Sequence, residues 1–336
     1  MTGRAGAPGR PGTGSRRTLL GVDVGGTKIA AGLVAEDGTL LETVVRPTPA
    51  RQGPTAVLDA IAAAVRELPD HAGAAGLGLG TGGVVDRDGG VVVSANELLP
   101  GWAGTRLADE LGHRLGIPVA ADNDANVFAL AEQTYGAGAG STTALYVSVG
   151  TGIGGGLVTG GRLLRGAHWT AGEFGHIAVP EAAGRPCNCG RDGHLEAVAA
   201  GPAIAARFSR LAGRPRPADL REVAALAERA APPADPDGTP PQAPGDESAL
   251  ARTVLAEGAG ALGRALAGLV NTFDPERVVV GGGVASVGDP FWQPLAEAFA
   301  AELLPGPSAA GLRPLPAALG PRAAVIGAAA LLLEHR

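Results

Sequence analysis

A nine-residue phrase occurs twice in this chain and limits what it can fold into. Gly26-Thr27-x-Ile29-x-x-Gly32-Leu33-Val34 returns 124 residues later as Gly150-Thr151-x-Ile153-x-x-Gly156-Leu157-Val158. A glycine turn and a Leu-Leu pair follow each copy. Before the first copy, residues 18–24 alternate and then become apolar, as a strand entering a core does; residues 29–35 return as a second strand to the Asp37-Gly38 turn. Two hairpins with one glycine turn in common imply an internal duplication, one copy per domain. The turn Gly25-Gly26-Thr27-Lys28 is not a Walker A loop, because the order is Gly-Thr-Lys and a strand follows. Glycine allows close approach of backbone to an anion, successive N–H groups can share one concavity, and threonine adds a hydroxyl donor. Two such turns facing across a cleft would hold a polyphosphate from both sides, although either copy alone reads equally as a plain hairpin.

The stretch 172–196 contains both cysteines of the 336-residue chain, Cys187 and Cys189, with His176 before them and His194 after. Thiolate and imidazole in a set of four are the preferred tetrahedral ligands of Zn²⁺, so His176, Cys187, Cys189 and His194 are expected to bind a structural zinc. A disulfide between residues two apart would be strained. Interleaved carboxylates Glu173 and Glu196 would be held in fixed positions by such a metal. Four protein ligands leave no open position for a reacting water, which argues against a zinc hydrolase.

Between the two copies, residues 54–68 carry Leu58, Ile61, Val65 and Leu68 on one helical face. Residues 76–80 read as a short buried strand, followed by a polar loop at 94–98 with Trp102 as an exposed aromatic. Residues 118–121 form another strand that ends at Asp122-Asn123-Asp124-Ala125-Asn126, where a helix to about residue 135 begins. One polar residue suffices to cap a helix, and four in five positions exceed that need. Ligands of open α/β sheets gather at such carboxyl ends. Helices are expected at 199–211, 219–230 and along Leu250, Val254, Leu262, Leu266 and Leu269; a strand at 277–280 enters Gly281-Gly282-Gly283, open enough for a nucleotide base; and a helix closes the chain at 323–334.

Net charge is −6 and no Lys/Arg run exceeds two, which argues against nucleic acid as the partner. The longest apolar run, 323–333, is too short to span a bilayer, so no membrane association is expected. Ser15-Arg16-Arg17 mimics a twin-arginine export signal, but Asp23 and Lys28 interrupt the apolar segment that export needs. Residues 1–17 read as a disordered tail and the Pro-rich acidic run 231–247 as a mobile insert. Two cysteines with metal-ligand spacing suit a reducing, cytoplasmic compartment.

Taken together, Asp23-Val-Gly-Gly-Thr27, Asn123-Asp124-Ala125-Asn126, Gly150-Thr151-Gly152, Gly172-Glu173-Phe-Gly-His176, Cys187-x-Cys189-Gly and Gly281-Gly282-Gly283 resemble the ROK family of sugar kinases, most of all its glucokinases, over residues 18–334. The resemblance implies an α/β protein of the actin-like (ribonuclease H-like) ATPase fold, with two domains around a central cleft. The small domain would span 18–123 plus 320–336 and the large one 124–319. It implies ATP-dependent phosphorylation of the 6-hydroxyl of glucose, with N-acetylmannosamine, fructose or mannose as other sugars and a non-catalytic sugar-binding regulator as the rival. Asp124 would be the base. Asn96, Asn123, Glu173, His176 and Glu196 would touch the sugar. Gly25, Gly26, Thr27, Lys28, Gly150, Thr151 and Gly152 would form the phosphate loops, with Asp23 near Mg²⁺ and Gly281, Gly282 and Gly283 at the nucleoside. A homodimer is implied too. Seventeen residues ahead of the first strand leave no room for the DNA-binding helix-turn-helix of the family's regulators. The chain departs from the family's Cys-x-Cys-Gly-x-x-Gly-Cys at its end, where His194 stands for the third cysteine and takes the formal charge of the zinc site from minus one to zero.

Overall fold

The computed structural model describes residues 17–229, 246–306 and 310–334. The expected tail, apart from Arg17, and the expected insert, apart from Asp246 and Glu247, lie outside the described residues.

Strands β1 (Thr18–Val24) and β2 (Lys28–Ala35) form the first hairpin, closed by the Gly25 N–H donating to the Lys28 carbonyl at 3.0 Å. Leu19 and Leu20 of the export-signal mimic are thus core residues of β1. Strand β3 (Leu40–Pro47) follows antiparallel at the sheet edge. Then come α1 (Pro54–Glu67), β4 (Leu77–Thr81), the β5 (Val84–Asp86) and β6 (Val91–Ser94) ribbon, α2 (Leu107–Leu115) and β7 (Val119–Asn123). Helix α1 buries Leu58, Ile61 and Val65, as its spacing predicts, and packs against β1, β2 and β3. The first sheet has the order β3-β2-β1-β4-β7, with β1, β4 and β7 parallel.

The second half repeats this plan. After α3 (Asp124–Tyr135) come β8 (Ala144–Val149), β9 (Ile153–Thr159) and β10 (Arg162–Leu164). Helices α4 (Glu196–Ala199), α5 (Gly201–Leu211), α6 (Leu220–Ala227) and α7 (Glu247–Phe273) lead to β11 (Arg277–Gly281), α8 (Asp289–Glu302), β12 (Pro314–Pro316) and α9 (Ala323–Ala330). The second sheet runs β10-β9-β8-β11-β12: again two antiparallel pairs, then two parallel ones. The duplicated phrase therefore marks a duplicated topology. Helices α3 and α9 pack on each other, α3 also on β8 and β9, and α9 on β1 and β4, so this pair ties the two sheets together.

Three local expectations change. Trp102 is buried, 1% exposed, with its Nε1–H donating to Thr81 Oγ1 at 3.0 Å; the turn from Leu99 folds it into the first core. The helix expected at 199–211 breaks at Ala200, because Pro202 in the first turn of α5 has no N–H to extend α4. Asp246 and Glu247 belong to α7 rather than to the insert: Asp246 caps it by accepting from the Ser248 N–H at 2.9 Å, and Glu247 pairs with Arg214 at 2.7 Å. Among the described residues α7 alone is long and apolar enough to cross a membrane, yet its most apolar window is 61% buried beneath neighbouring helices. It is a core helix.

Candidate active site

Parallel register sets the site. Val24 of β1 pairs with Thr81 of β4, and Thr81 with Asn123 of β7. The carboxyl ends of these strands therefore lie in one line, and the Gly25–Lys28 turn and Asp124 leave from the same sheet edge. In the second sheet Gly281 pairs with Ser148, which sets the Gly281–Gly283 turn beside the end of β8 and the Gly150–Gly152 turn. Gly282 has φ +90°, and a Cβ there would meet the Val149 carbonyl oxygen at 2.4 Å, so this close approach requires glycine. The Gly150 carbonyl accepts from the Gly201 N–H at 2.9 Å, anchoring α5 to the same turn.

At the head of α3, Asn123 does the capping: its Oδ1 accepts from the N–H groups of Ala125 at 2.8 Å and Asn126 at 3.3 Å, while its Nδ2 donates to the Gly83 carbonyl at 2.8 Å. The plain capping role is thus real for Asn123, and Asp122 and Asp124 are surplus to it. Asp124 is exposed toward solvent, yet protein crowds it closely enough that loss of bulk water raises its pKa above the ordinary carboxylate range. Asp23 faces it from β1. Burial pushes Asp23 up to about 6, the charge of Asp124 adds to the rise and Lys28 opposes it. Glu173 is likewise raised, by burial first, with His176 opposing and Asp124 and Glu196 adding. Four carboxylates from β1, α3, the 172–176 segment and α4 thus converge. Two of them, Asp23 and Asp124, repel each other in a way that a divalent cation would relieve.

Segment 172–196 wraps the same point. The Cys187 N–H donates to the Arg191 carbonyl at 2.7 Å and the Gly190 N–H to the Cys187 carbonyl at 3.1 Å, making a tight knuckle. The Leu195 N–H bonds the Ile177 carbonyl at 2.8 Å and so brings His194 back to His176. Ligand atoms of His176, Cys187, Cys189 and His194 all lie within 4.8 Å of one another, with Cys187 Sγ 3.6 Å from His176 Nδ1 and Cys189 Sγ 3.3 Å from His194 Nδ1. A tetrahedral zinc with bonds of about 2.0–2.3 Å places its ligands roughly 3.3–3.8 Å apart. The four residues fit that metal. Burial pushes the Cys187 thiol up, so a bound cation would displace its proton. His176 Nε2 points the other way, 3.8 Å from Glu173 Oε2, the carboxylate arrangement that commonly orients a metal-bound imidazole.

Not every expected residue faces one centre. Asn96 is exposed, and its Oδ1 accepts from the Leu98 N–H of its own turn at 3.0 Å. That turn rests on the first phosphate loop: a Cβ on Gly26 would meet the Leu98 carbonyl oxygen at 2.9 Å. A cavity of about 530 Å³ opens at this junction, lined by Gly26, Thr27, Arg51, Glu97 and Leu98. Glu196 commits Oε2 to the Ile153 N–H at 2.7 Å, so it links the zinc loop to the second phosphate turn and leaves Oε1 for other contacts. Sequence reasoning missed Arg165, whose Nε–H donates to Asp122 Oδ2 at 2.6 Å. Nothing in its local pattern signals a residue that reaches back 43 positions.

Residues 19–335 match the ROK family. The chain belongs to the ROK family. It is 38% identical to a glucokinase of Thermotoga maritima over 332 residues, 94% of this chain and 98% of that one. Its fold superposes on a ROK hexokinase of Thermus thermophilus with a TM-score of 0.78 at 37% identity, covering 95% of this chain and 99% of the other. A ROK glucokinase of Streptomyces griseus, solved with glucose and AMPPNP, gives 0.75 at 34% identity over 94% of this chain and 98% of its own. The two repeated sheets are those of the actin-like ATPase fold that these ROK sugar kinases share, and the protein is a sugar kinase of that family.

Proposed function

We propose that this ROK protein transfers the γ-phosphoryl group of ATP to the 6-hydroxyl of glucose. The observation that carries this reading is the convergence on Asp124 of Asp23 beside the first glycine turn and of Glu173 and Glu196, with the second hairpin packed on the start of α3 (a Cβ on Gly154 would meet the Ala125 Cβ at 2.7 Å), in a chain 34–38% identical to glucokinases along nearly its whole length. Phosphoryl transfer asks the protein for alignment and charge neutralisation more than for covalent work, because its transition state is loose. Asp124 accepts the proton of the 6-hydroxyl as that oxygen attacks phosphorus and ADP leaves. Loss of bulk water raises the proton affinity of the Asp124 carboxylate, which suits a base that acts late.

The remaining roles follow the same geometry. The turns Gly25–Thr27 and Gly150–Gly152 receive the phosphates through the N–H groups of Gly26 and Gly152 and the hydroxyls of Thr27 and Thr151, while the Gly25 and Gly150 N–H groups close the turns on the Lys28 and Gly152 carbonyls; the Lys28 ammonium lies at the rim and Gly281–Gly283 against the nucleoside. Asp23 would hold Mg²⁺, which would neutralise phosphate charge. Asn96, Asn123, Glu173, His176 and Glu196 read the sugar. A site built to hydrogen-bond given hydroxyls rejects sugars lacking them, because its buried polar groups are then left unpaired. His176 would hold zinc by Nδ1 and keep Nε2 for Glu173 and the sugar. Residues 18–123 with 320–336, and 124–319, act as small and large domains that close over the sugar and exclude water. We place the protein in the cytoplasm, with a structural zinc, as a homodimer.

An ATP-coupled assay over glucose, mannose, fructose, N-acetylmannosamine and 6-deoxyglucose tests the reading. Glucose is expected to give the highest kcat/KM and 6-deoxyglucose no ADP above background. Preference for another hexose would move the substrate assignment; equal ADP release without any sugar would end it.

A further inference from the structure

Asp122 is 1% exposed, and its two oxygens are fully engaged: Oδ1 accepts from Asn126 Nδ2 at 2.8 Å and from the Asn123 N–H at 2.8 Å, and Oδ2 from Arg165 Nε at 2.6 Å. Arg165 follows β10 in the second sheet, whereas Asp122 is the next-to-last residue of β7 in the first. The same guanidinium donates through NH2 to Glu334 Oε2 at 2.6 Å, and Arg87, which follows β5, reaches that carboxylate from the other side at 3.4 Å. One cation thus bridges the two sheets and the Glu334 carboxylate, and its Asp122 contact is two residues from the proposed base. A buried pair of this kind is weak evidence for stability alone, because replacing both partners together is often tolerated.

We infer that Arg165 is a positioning residue for phosphoryl transfer: acting through Asp122, it holds the Asn123-Asp124 backbone in the attitude that aims the base, and through Glu334 it couples that attitude to the relation between the two sheets. This rests on the kinase reading above. Arg165 touches neither sugar nor nucleotide in this role. Its loss should therefore appear in kcat far more than in the equilibrium affinity for glucose, which Asn96, Glu173, His176 and Glu196 still hold.

Three variants separate positioning from folding. Arg165→Met leaves the Asp122 charge buried without its partner and is expected to lower both Tm and kcat. In Arg165→Met with Asp122→Asn, no buried charge is left alone, so Tm should return toward the parent; kcat should stay at least tenfold down, within the roughly 10²-fold that a 1 Å misplacement costs. Arg165→Lys keeps the charge but has no planar fork to bridge Asp122 and Glu334, and should regain Tm more fully than kcat. Glucose dissociation constants, measured by calorimetry without ATP, should rise by a much smaller factor than kcat falls. Recovery of kcat together with Tm in the double variant, parental kcat in Arg165→Met, or a glucose affinity that falls in step with kcat would overturn the inference. Absence of sugar-dependent turnover in the parent protein would overturn the kinase reading as well.

Discussion

Asp124 sits where three chain segments meet, and its own backbone neighbours determine what a substitution there does. Asp124→Asn keeps the shape of the helix start, since Asn123 makes the cap, and is expected to lower kcat by about 10²–10⁴-fold, the usual contribution of a general base. Asp23 carries a prediction of opposite sign for stability. Its folded pKa is raised to about 6 from 3.8, so folding favours its protonated form. The stability it permits is fully present below the unfolded value and is lost as pH rises through the folded one. Asp23→Asn should therefore be more stable than the parent at pH 8, by about 3 kcal/mol at most, and match it near pH 3.5. Thermal melts at the two pH values check this. Activity should fall as pH drops below about 6, where Asp23 takes up its proton. At this scale the sequence was most legible where chemistry needs a rare residue. The Cys-x-Cys pair with two histidines and the surplus polar residues after β7 both point to the region that the fold brings together. Arg165, Glu334 and Arg87 were not legible, because an arginine that reaches across two sheets has no local period or motif.

Elements contribute by holding those residues still. Helix α3 begins at Asp124, and its buried Glu132 accepts from the N–H groups of Ala137 at 2.8 Å, Ala318 at 3.0 Å and Leu319 at 2.8 Å. That carboxylate fastens α3 to the crossing before α9. Glu132→Ala removes the acceptor of three part-buried donors, which water can reach in part, so a loss of about 1–3 kcal/mol is expected in denaturant unfolding. The zinc loop is the second such element. Its ion pairs to α7, Arg185 with Glu257 and Arg264 with Glu181, brace its base, and the four ligands close its tip. Removal of zinc by a chelator should lower Tm and raise the KM for glucose; His194→Cys should restore a three-thiolate set and hold zinc more tightly in a chelator competition. Boundaries of regular elements were readable from periodicity to within a few residues. The misplaced ones have physical causes: Pro202 splits a helix whose apolar pattern runs straight through it, and Trp102 looks exposed only until the Leu99 turn folds it inward.

For the whole molecule, duplication is the organising fact, and it could be read from nine residues because glycine turns and apolar strands tolerate little else. The two sheets repeat one order, and their aligned strand ends leave the phosphate turns, the zinc segment and Asp124 around a common space. The order of strands and the α3–α9 pair that joins the sheets depend on long-range packing, which no local pattern encodes. If the halves close on the sugar as proposed, small-angle scattering should record a smaller radius of gyration with glucose than without it, and an unchanged radius would argue against closure. The most direct test of the whole account is the rate of glucose-dependent ADP release by the parent protein beside Asp124→Asn, at saturating ATP and Mg²⁺. The account predicts brisk turnover in the parent and a loss of at least about 10²-fold in the variant with glucose still bound. Near-parental turnover by Asp124→Asn would contradict it.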